Sequence, residues 1–552
     1  MKNCLSFIAI VLFAASQASA QTSYYWVKFT DKNNNGYTVN TPQQFLTQRA
    51  IDRRTRANIA IDESDLPITQ TYINAIAPYT ENIVHRLKWI NTVVIAVTDS
   101  TFNPDDIKQF SFVDSLNKIE FPPSRSAKQK FEDPYPVIDQ HYVYPNPYGM
   151  AYRQANMLNA DLLHQSGHKG KDIIIAVMDN GFYNVNNIKG FDSIRTQILA
   201  TWDFVHNDGN VYDGGGHGTN VLSCIGGHVK DRYLGTAPSA SFFLLQSEDD
   251  GAEWVMEEYN WAAAAEWADS AGADIFSTSL GYTDFDDDIG SHTYADLTGD
   301  KTVITHASNQ AFEKGILVIN SAGNEGANSW HYVSAPADGI NVMAVGAVDS
   351  AEIIAGFSSR GPSFDNRIKP DVCAQGVRSA VITSGGDLGY SGGTSFSCPV
   401  LAGAAASLWS AFPQKTATEI YTAIMATCDR KETPDNEYGY GIPNFYMAFL
   451  MLRSDSNTNI FAPDYNLAVF PNPSTNVLYI ALSHAASRDY SFELYDMLGN
   501  KVLNQDKHIY IREDNEYGIF KLPGYENLAA GKYVLIFDGD RKHPLHLIKG
   551  AQ

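Results

Sequence analysis

Apolar and polar positions divide the chain into four blocks. In residues 21–121 the pattern predicts strand Tyr24–Phe29, helix Thr41–Arg54, strands Ile83–Trp89 and Thr92–Thr98, helix Asn103–Phe110 and strand Val113–Phe121. That order fits the split βαβ arrangement of a small α+β domain. Residues 122–146 are rich in Pro, Lys, Asp and Tyr, lack sustained periodicity and read as a linker. Residues 147–454 alternate apolar strands with helices of small residues, the pattern of a parallel sheet covered on both faces. Residues 455–552 change to short alternating strands parted by Asn-Pro, Gly-Asn and Gly-Lys turns, which predicts a small antiparallel β-sandwich.

The first twenty residues stand apart from these blocks. Lys2, the apolar run Leu5–Ala15 and the small-residue step Ala18-Ser19-Ala20 have the layout of an export signal, with Gln21 as the mature start. The run is too short to span a bilayer, and no later run reaches eighteen apolar residues, so no membrane span is expected. Cys4 precedes the apolar run, which argues against lipid attachment there. Forty Lys+Arg against 62 Asp+Glu give a net charge of −22. Such a chain repels phosphate backbones, which argues against nucleic acid as a partner. Signal removal would leave Cys224, Cys373, Cys398 and Cys428. Their even number permits disulfides, but three of the four sit among small or apolar residues, which favours buried free thiols.

The third block carries the candidate chemistry. Ile173–Met178 is an apolar run that ends in Asp179-Asn180-Gly181, so a carboxylate stands at the carboxyl end of a buried strand, where open α/β sheets hold their sites. Gly214-Gly215-Gly216-His217-Gly218-Thr219 places His217 at a helix start, where the dipole favours a neutral imidazole that can act as a base. The glycine spacing does not suit a dinucleotide loop. Gly392-Gly393-Thr394-Ser395 opens a tightly packed helix and presents Ser395 at its start, and Pro399 is read as fixing that start within the first turn. Position 397 is Ser, so this is not the Gly-x-Ser-x-Gly elbow of α/β-hydrolases. After the predicted strand Gly315–Asn320, Asn324 lies in a Gly-flanked turn and could donate its amide to an oxyanion. Singly, each residue also has a plain reading as a turn or cap residue. Together, Asp, His, Asn and Ser at element ends form a set for nucleophilic catalysis.

The order Asp, His, Ser is that of subtilisin, and the surrounding residues resemble the subtilisin-like serine peptidases, or subtilases. The resemblance rests on Ala176–Gly181, His217-Gly218-Thr219, Gly235-Thr236-Ala237-Pro238, Ser279-Leu280-Gly281, Ala322–Gly326, Phe357–Pro362, Lys369–Val372 and Gly393-Thr394-Ser395, all in the family's order over roughly 147–450. Asn180 replaces the family's usual Ser or Thr, Phe396-Ser397-Cys398 departs from its pattern, and about fifteen extra residues lie between Gly281 and Asn324. The resemblance implies an α/β fold with a subtilisin-like parallel sheet. It implies catalysis by Asp179, His217 and Ser395 with Asn324 in the oxyanion site. Substrate backbone would pair with Ser279, Leu280 and Gly281, and Asn324–Pro336 would border the pocket for the residue before the cut, with Glu325 at its rim.

Residues 21–121 resemble a ferredoxin-like subtilase propeptide, which chaperones folding and inhibits the cleft; processing would fall in 122–146. Val469–Pro473, Val477–Ile480, Leu494–Gly499 and Gly531–Leu535 resemble the C-terminal sorting domain of the type IX secretion system. The expected protein is thus a secreted serine endopeptidase that passes through the periplasm to the cell surface or medium. Its partners would be protein or peptide substrates and the type IX secretion machinery. An esterase on the same triad and a dead, surface-binding relative are the alternatives. No organic cofactor or catalytic metal is implied. Subtilases often bind structural calcium, for which Asp284, Asp286, Asp287 and Asp288 are a candidate cluster, although a solvated acidic loop fits them as well. Residues 248–300 hold fifteen acidic side chains and no Lys or Arg. Either most of them face solvent, or they give the cleft a preference for basic residues on the substrate's amino-terminal side.

Overall fold

The fold is described from a computed structural model, which covers residues 22–99, 101–122, 130–131, 134–136 and 146–454, and in the C-terminal block 461–462, 467–470, 478–483, 491–505, 509–513, 517–537 and 540–549. The export signal and most of the expected processing region lie outside the described residues. The chain forms two compact units: Met1–Tyr37 with Glu63–Phe121, and Thr38–Asp62 with Pro122–Gln552.

The first unit is a four-stranded antiparallel sheet in the order Asn82–Leu87, Thr92–Val97, Ser23–Phe29, Val113–Ile119. This is the ferredoxin-like order. Val27, Phe29, Val93, Ile95 and Leu116 of the strands meet Ile73 and Ile76 of helix Gln70–Ile76 and Ile107 of the short helix Asp105–Lys108.

The predicted helix Thr41–Arg54 is corrected here. It is a single 3-10 turn at Pro42–Gln44 followed by helix Gln48–Arg56, which Thr47 caps by accepting from the Ala50 N–H at 3.4 Å. It belongs to the second unit, and the helix of the first sheet is Gln70–Ile76, in a stretch where no element was expected. The buried stripe of Gln48–Arg56 explains the error: it holds Arg53 and Arg54 as well as Ala50, so an apolar period cannot reveal it. Both guanidiniums pair with the buried Asp269, Arg54 Nη2 at 2.8 Å from Oδ2 and Arg53 at Oδ1. Burial lowers the Arg53 pKa to about 10, against the pull of Asp269. Asp269→Ala should strand two buried cations, and removing one partner of such a pair costs about 3–5 kcal/mol. A urea midpoint for the full-length variant equal to that of the parent would show that the clasp is not holding the unit together.

The second unit is built on a seven-stranded parallel sheet. From one edge its order is Val372–Gln375, Met343–Val348, Leu317–Ser321, Ile275–Thr278, Ile174–Asp179, Ser241–Gln246, Ile198–Asp203. Its strands read as continuous apolar runs because helices cover both faces. His217–Gly226 packs with Thr394–Ser410, and Met256–Ala271 packs with Val303–Glu313. The chain lays strands to one side of Ile174–Asp179, then crosses over and lays the rest on the other. The crevice at the carboxyl ends of the central strands is where such sheets place a site.

Pro399 lies at the sixth residue of helix Thr394–Ser410, not in its first turn. A proline there lacks the N–H that would bond the carbonyl of Ser395. The helix tolerates it because the Ser279 hydroxyl donates to that carbonyl at 2.8 Å. The linker also departs from expectation. Tyr135–Pro136 is a short strand that pairs with Leu388–Ser391, itself paired with Ser379–Ile382.

The C-terminal block is a β-sandwich. One antiparallel sheet holds Leu467–Phe470, Tyr479–Ser483, Tyr517–Lys521 and Ile509–Glu513; the other holds Lys501–Gln505, Phe492–Asp496, Gly531–Phe537 and Asp540–Lys549. Ile480 and Phe520 of the first share a core with Leu494 and Leu535 of the second. Cys224, Cys373, Cys398 and Cys428 are buried free thiols, and burial raises the pKa of Cys224 and Cys398 to about 12. Among the described residues no helix is long and apolar enough to cross a membrane.

Candidate active site

Asp179 is the last residue of its strand and wholly buried. Its Oδ1 accepts from the backbone N–H of Asn180 at 2.9 Å and from His217 Nδ1 at 2.7 Å. A carboxylate can only accept, so the proton of this bond sits on His217 Nδ1, and in a neutral ring the lone pair is then on Nε2. His217 opens helix His217–Gly226, and the next residue must be Gly. A Cβ on Gly218 would stand 2.2 Å from the Gly181 carbonyl oxygen and 2.9 Å from Asp179 Cβ.

Ser395 is the second residue of helix Thr394–Ser410, entered through Gly393 at φ +138°. Its hydroxyl donates to the Ser279 carbonyl at 3.5 Å. Asn324 follows the turn residue Gly323, at φ +106°. Its Oδ1 accepts from both the backbone N–H and the hydroxyl of Thr394, at 2.9 and 3.0 Å. With the oxygen end committed, the Nδ2 end of the amide is the one left to donate.

A cleft of about 440 Å³ runs past these groups. Ser279, Leu280, Gly281, Asn324, Glu325 and Ser395 all line it, so the structure gathers six of the eight predicted site residues on one surface. The other two, Asp179 and His217, form their own hydrogen-bonded pair. Phe131 bridges the groups. It lines the cleft, and its ring stacks on His217 with centroids 3.9 Å apart.

Sequence reasoning missed Phe131 and its neighbour Lys130. The Lys130 ammonium is ringed by Glu257 Oε1 at 2.5 Å, Glu253 Oε2 at 3.0 Å and Glu248 Oε2 at 3.3 Å. Burial opposes its charge, yet the three carboxylates hold its pKa well above the ordinary lysine value. One ammonium cannot neutralise three carboxylates. Burial raises the Glu248 pKa, takes Glu253 to about 7 and, with Glu248 as neighbour, pushes Glu257 well up. The signal was present in the sequence as opposite charge: Arg125, Lys128 and Lys130 in the linker against the acidic stretch from 248.

That acidic stretch is less solvated than one of its two readings held. Glu248, Glu257, Glu258, Glu266, Asp269 and Asp274 are buried. Asp284, Asp287 and Asp288 are exposed, while Asp286 accepts from the Glu253 N–H at 3.1 Å. Among the described residues, the acidic group close enough to share one cation is Glu248, Glu253 and Glu257, where Lys130 stands.

Residues 170–441 match the Subtilase family, residues 24–133 the Bacteroidota propeptide domain of peptidase family S8, and residues 468–545 a secretion-system C-terminal sorting domain. The chain is similar to subtilisin E of Bacillus subtilis strain 168, at 31% identity over 333 residues covering 58% of this chain and 77% of that protein. It is also similar to the subtilisin of Bacillus pumilus, at 33% identity over 288 residues covering 51% and 90%. The chain belongs to the subtilase family. It is a subtilisin-like serine peptidase with a propeptide and a sorting domain of the kind borne by extracellular or cell-surface proteins.

Proposed function

We propose that the chain is a self-processing, exported serine endopeptidase in which Asp179, His217 and Ser395 act as a triad. The observation that carries this reading is the His217 Nδ1 to Asp179 Oδ1 hydrogen bond, together with Ser395 and Asn324 on one cleft. Ser395 Oγ attacks a peptide carbonyl while His217 Nε2 takes its proton. Asp179 orients the ring and stabilises the imidazolium. The Asn324 amide and the Ser395 backbone N–H hold the oxyanion. His217 returns the proton to the leaving amine, and water hydrolyses the acyl-enzyme. Nucleophile, base and charge stabilisation all come from the chain, so the scheme uses no metal and no organic cofactor. Extended substrate would add as a strand along Ser279-Leu280-Gly281.

A fluorophosphonate probe should label the wild type at Ser395 and leave Ser395→Ala unlabelled. Labelling at another residue would end this assignment. Cleavage of a peptide library by the unlabelled enzyme, lost in Ser395→Ala, separates a peptidase from an esterase, which would turn over simple esters alone.

Export is assigned to the C-terminal sandwich and the type IX machinery. Deleting residues 455–552 should hold the protein in the periplasm, with its peptidase chemistry intact there. Fractionation that finds the truncated chain in the medium at the wild-type level would refute the assignment.

A further inference from the structure

The cage around Lys130 has the properties of a built subsite. Glu248 and Glu257 are almost fully buried, and the enzyme's own groups hold them in place. Glu257 Oε1 accepts from the Asp249 N–H at 2.8 Å and its Oε2 from the Trp254 N–H at 3.1 Å. Glu248 Oε1 accepts from the Tyr282 hydroxyl. Glu253 is the half-exposed wall. All three glutamates lie within the subtilase match at 170–441, whereas Lys130 lies near the end of the propeptide match at 24–133. The occupant therefore comes from the segment that processing would remove, and its loss would leave buried carboxylates without their cation. A buried charge that loses its partner is costly, so the vacated cage favours another ammonium.

Position supports a role in substrate choice. Lys130 and Phe131 are consecutive, and Phe131 stacks on His217 beside the cleft that holds Ser395. A residue adjoining one that covers the catalytic histidine is within a few positions of the bond to be cut. Both residues precede the end of the propeptide match, so they lie on the amino-terminal side of the junction. The compact geometry suits a point-like ammonium, approached from three sides.

We propose that Glu248, Glu253 and Glu257 form a subsite selective for a substrate lysine on the amino-terminal side of the scissile bond, and that Lys130 occupies it before processing. The proposal rests on the peptidase reading above and names the class of substrate that the site prefers.

The test uses secreted enzyme produced from the full chain, with active sites counted by fluorophosphonate. Alanine-based fluorogenic peptides carry Lys or the isosteric norleucine at each of the four positions before the cut. At one position kcat/KM should favour Lys by about 10- to 100-fold, the worth of a charge-assisted hydrogen bond. That ratio should fall towards one in Glu253→Gln, with Glu257→Gln as a second variant. Equal cleavage of Lys and norleucine peptides at every position would overturn the subsite and leave the peptidase reading standing. A Lys preference unchanged in both variants would also overturn it. If unlabelled enzyme from a preparation whose active sites titrate with the probe cleaves none of the peptides, both readings fall.

Discussion

Ser395→Ala should accumulate as an unprocessed chain that retains residues 21–121. Phe131, in the stretch where processing is proposed, stacks on His217, and its neighbour Lys130 sits in its cage. A bond next to these residues would be cut within one molecule, and well-oriented intramolecular reactions gain effective concentrations of about 10⁵–10⁸ M. Processing by the wild type should therefore proceed at a rate independent of protein concentration. Losing the nucleophile of a triad removes about 10⁶ in turnover, a figure known from subtilisin itself. No slow residual maturation is then expected on a laboratory time scale. Gel analysis with N-terminal sequencing gives the answer. If purified Ser395→Ala matures without added protease, self-processing is excluded.

Asn324→Ala should lower kcat by a factor of about 10²–10³ with little change in KM. That is the range for loss of one oxyanion donor, again set by subtilisin. The split between the constants follows from geometry. The Thr394 N–H and hydroxyl fix the oxygen end of the amide, so the nitrogen end is aimed before substrate arrives. A donor aimed at charge that appears only in the transition state contributes nothing to ground-state binding. A variant with wild-type kcat would remove Asn324 from the mechanism. A rise in KM at constant kcat would recast it as a substrate-binding residue.

Much of this was legible in the sequence because the relevant constraints are local. An apolar run ending in Asp179, a glycine that only a close approach explains at 218, and a Gly-Thr-Ser step into a helix each describe one strand end or one helix start. The four strands of the first sheet were readable for the same reason, whereas the helix Gln70–Ile76 that packs on them was not. Three further features were not. The helix Gln48–Arg56 buries arginines, and its partner Asp269 is more than two hundred residues away. Pro399 reads as a helix start because the rescuing hydroxyl belongs to Ser279, just past the end of strand Ile275–Thr278 and far away in the chain. The acidic stretch from 248 was visible as charge, but whether a carboxylate faces water or a caged lysine depends on a chain crossing that periodicity does not encode.

The missing N–H of Pro399 has a mechanical consequence. A serine on an unbroken helix is tied only to its own ladder and moves with that rod. Here one rung is surrendered to the neighbouring strand end. Ser279 grips the Ser395 carbonyl with its hydroxyl, at 2.8 Å, while its own carbonyl receives the Ser395 hydroxyl, at 3.5 Å. The two bonds run in opposite directions and close a small ring between the nucleophile and the wall of the cleft. Such a ring should restrain the separation of the two more than the position of either one. Reactivity can fall by about 10² for an ångström of misplacement, so a residue usually counted as a helix defect acts in this fold as a coupling.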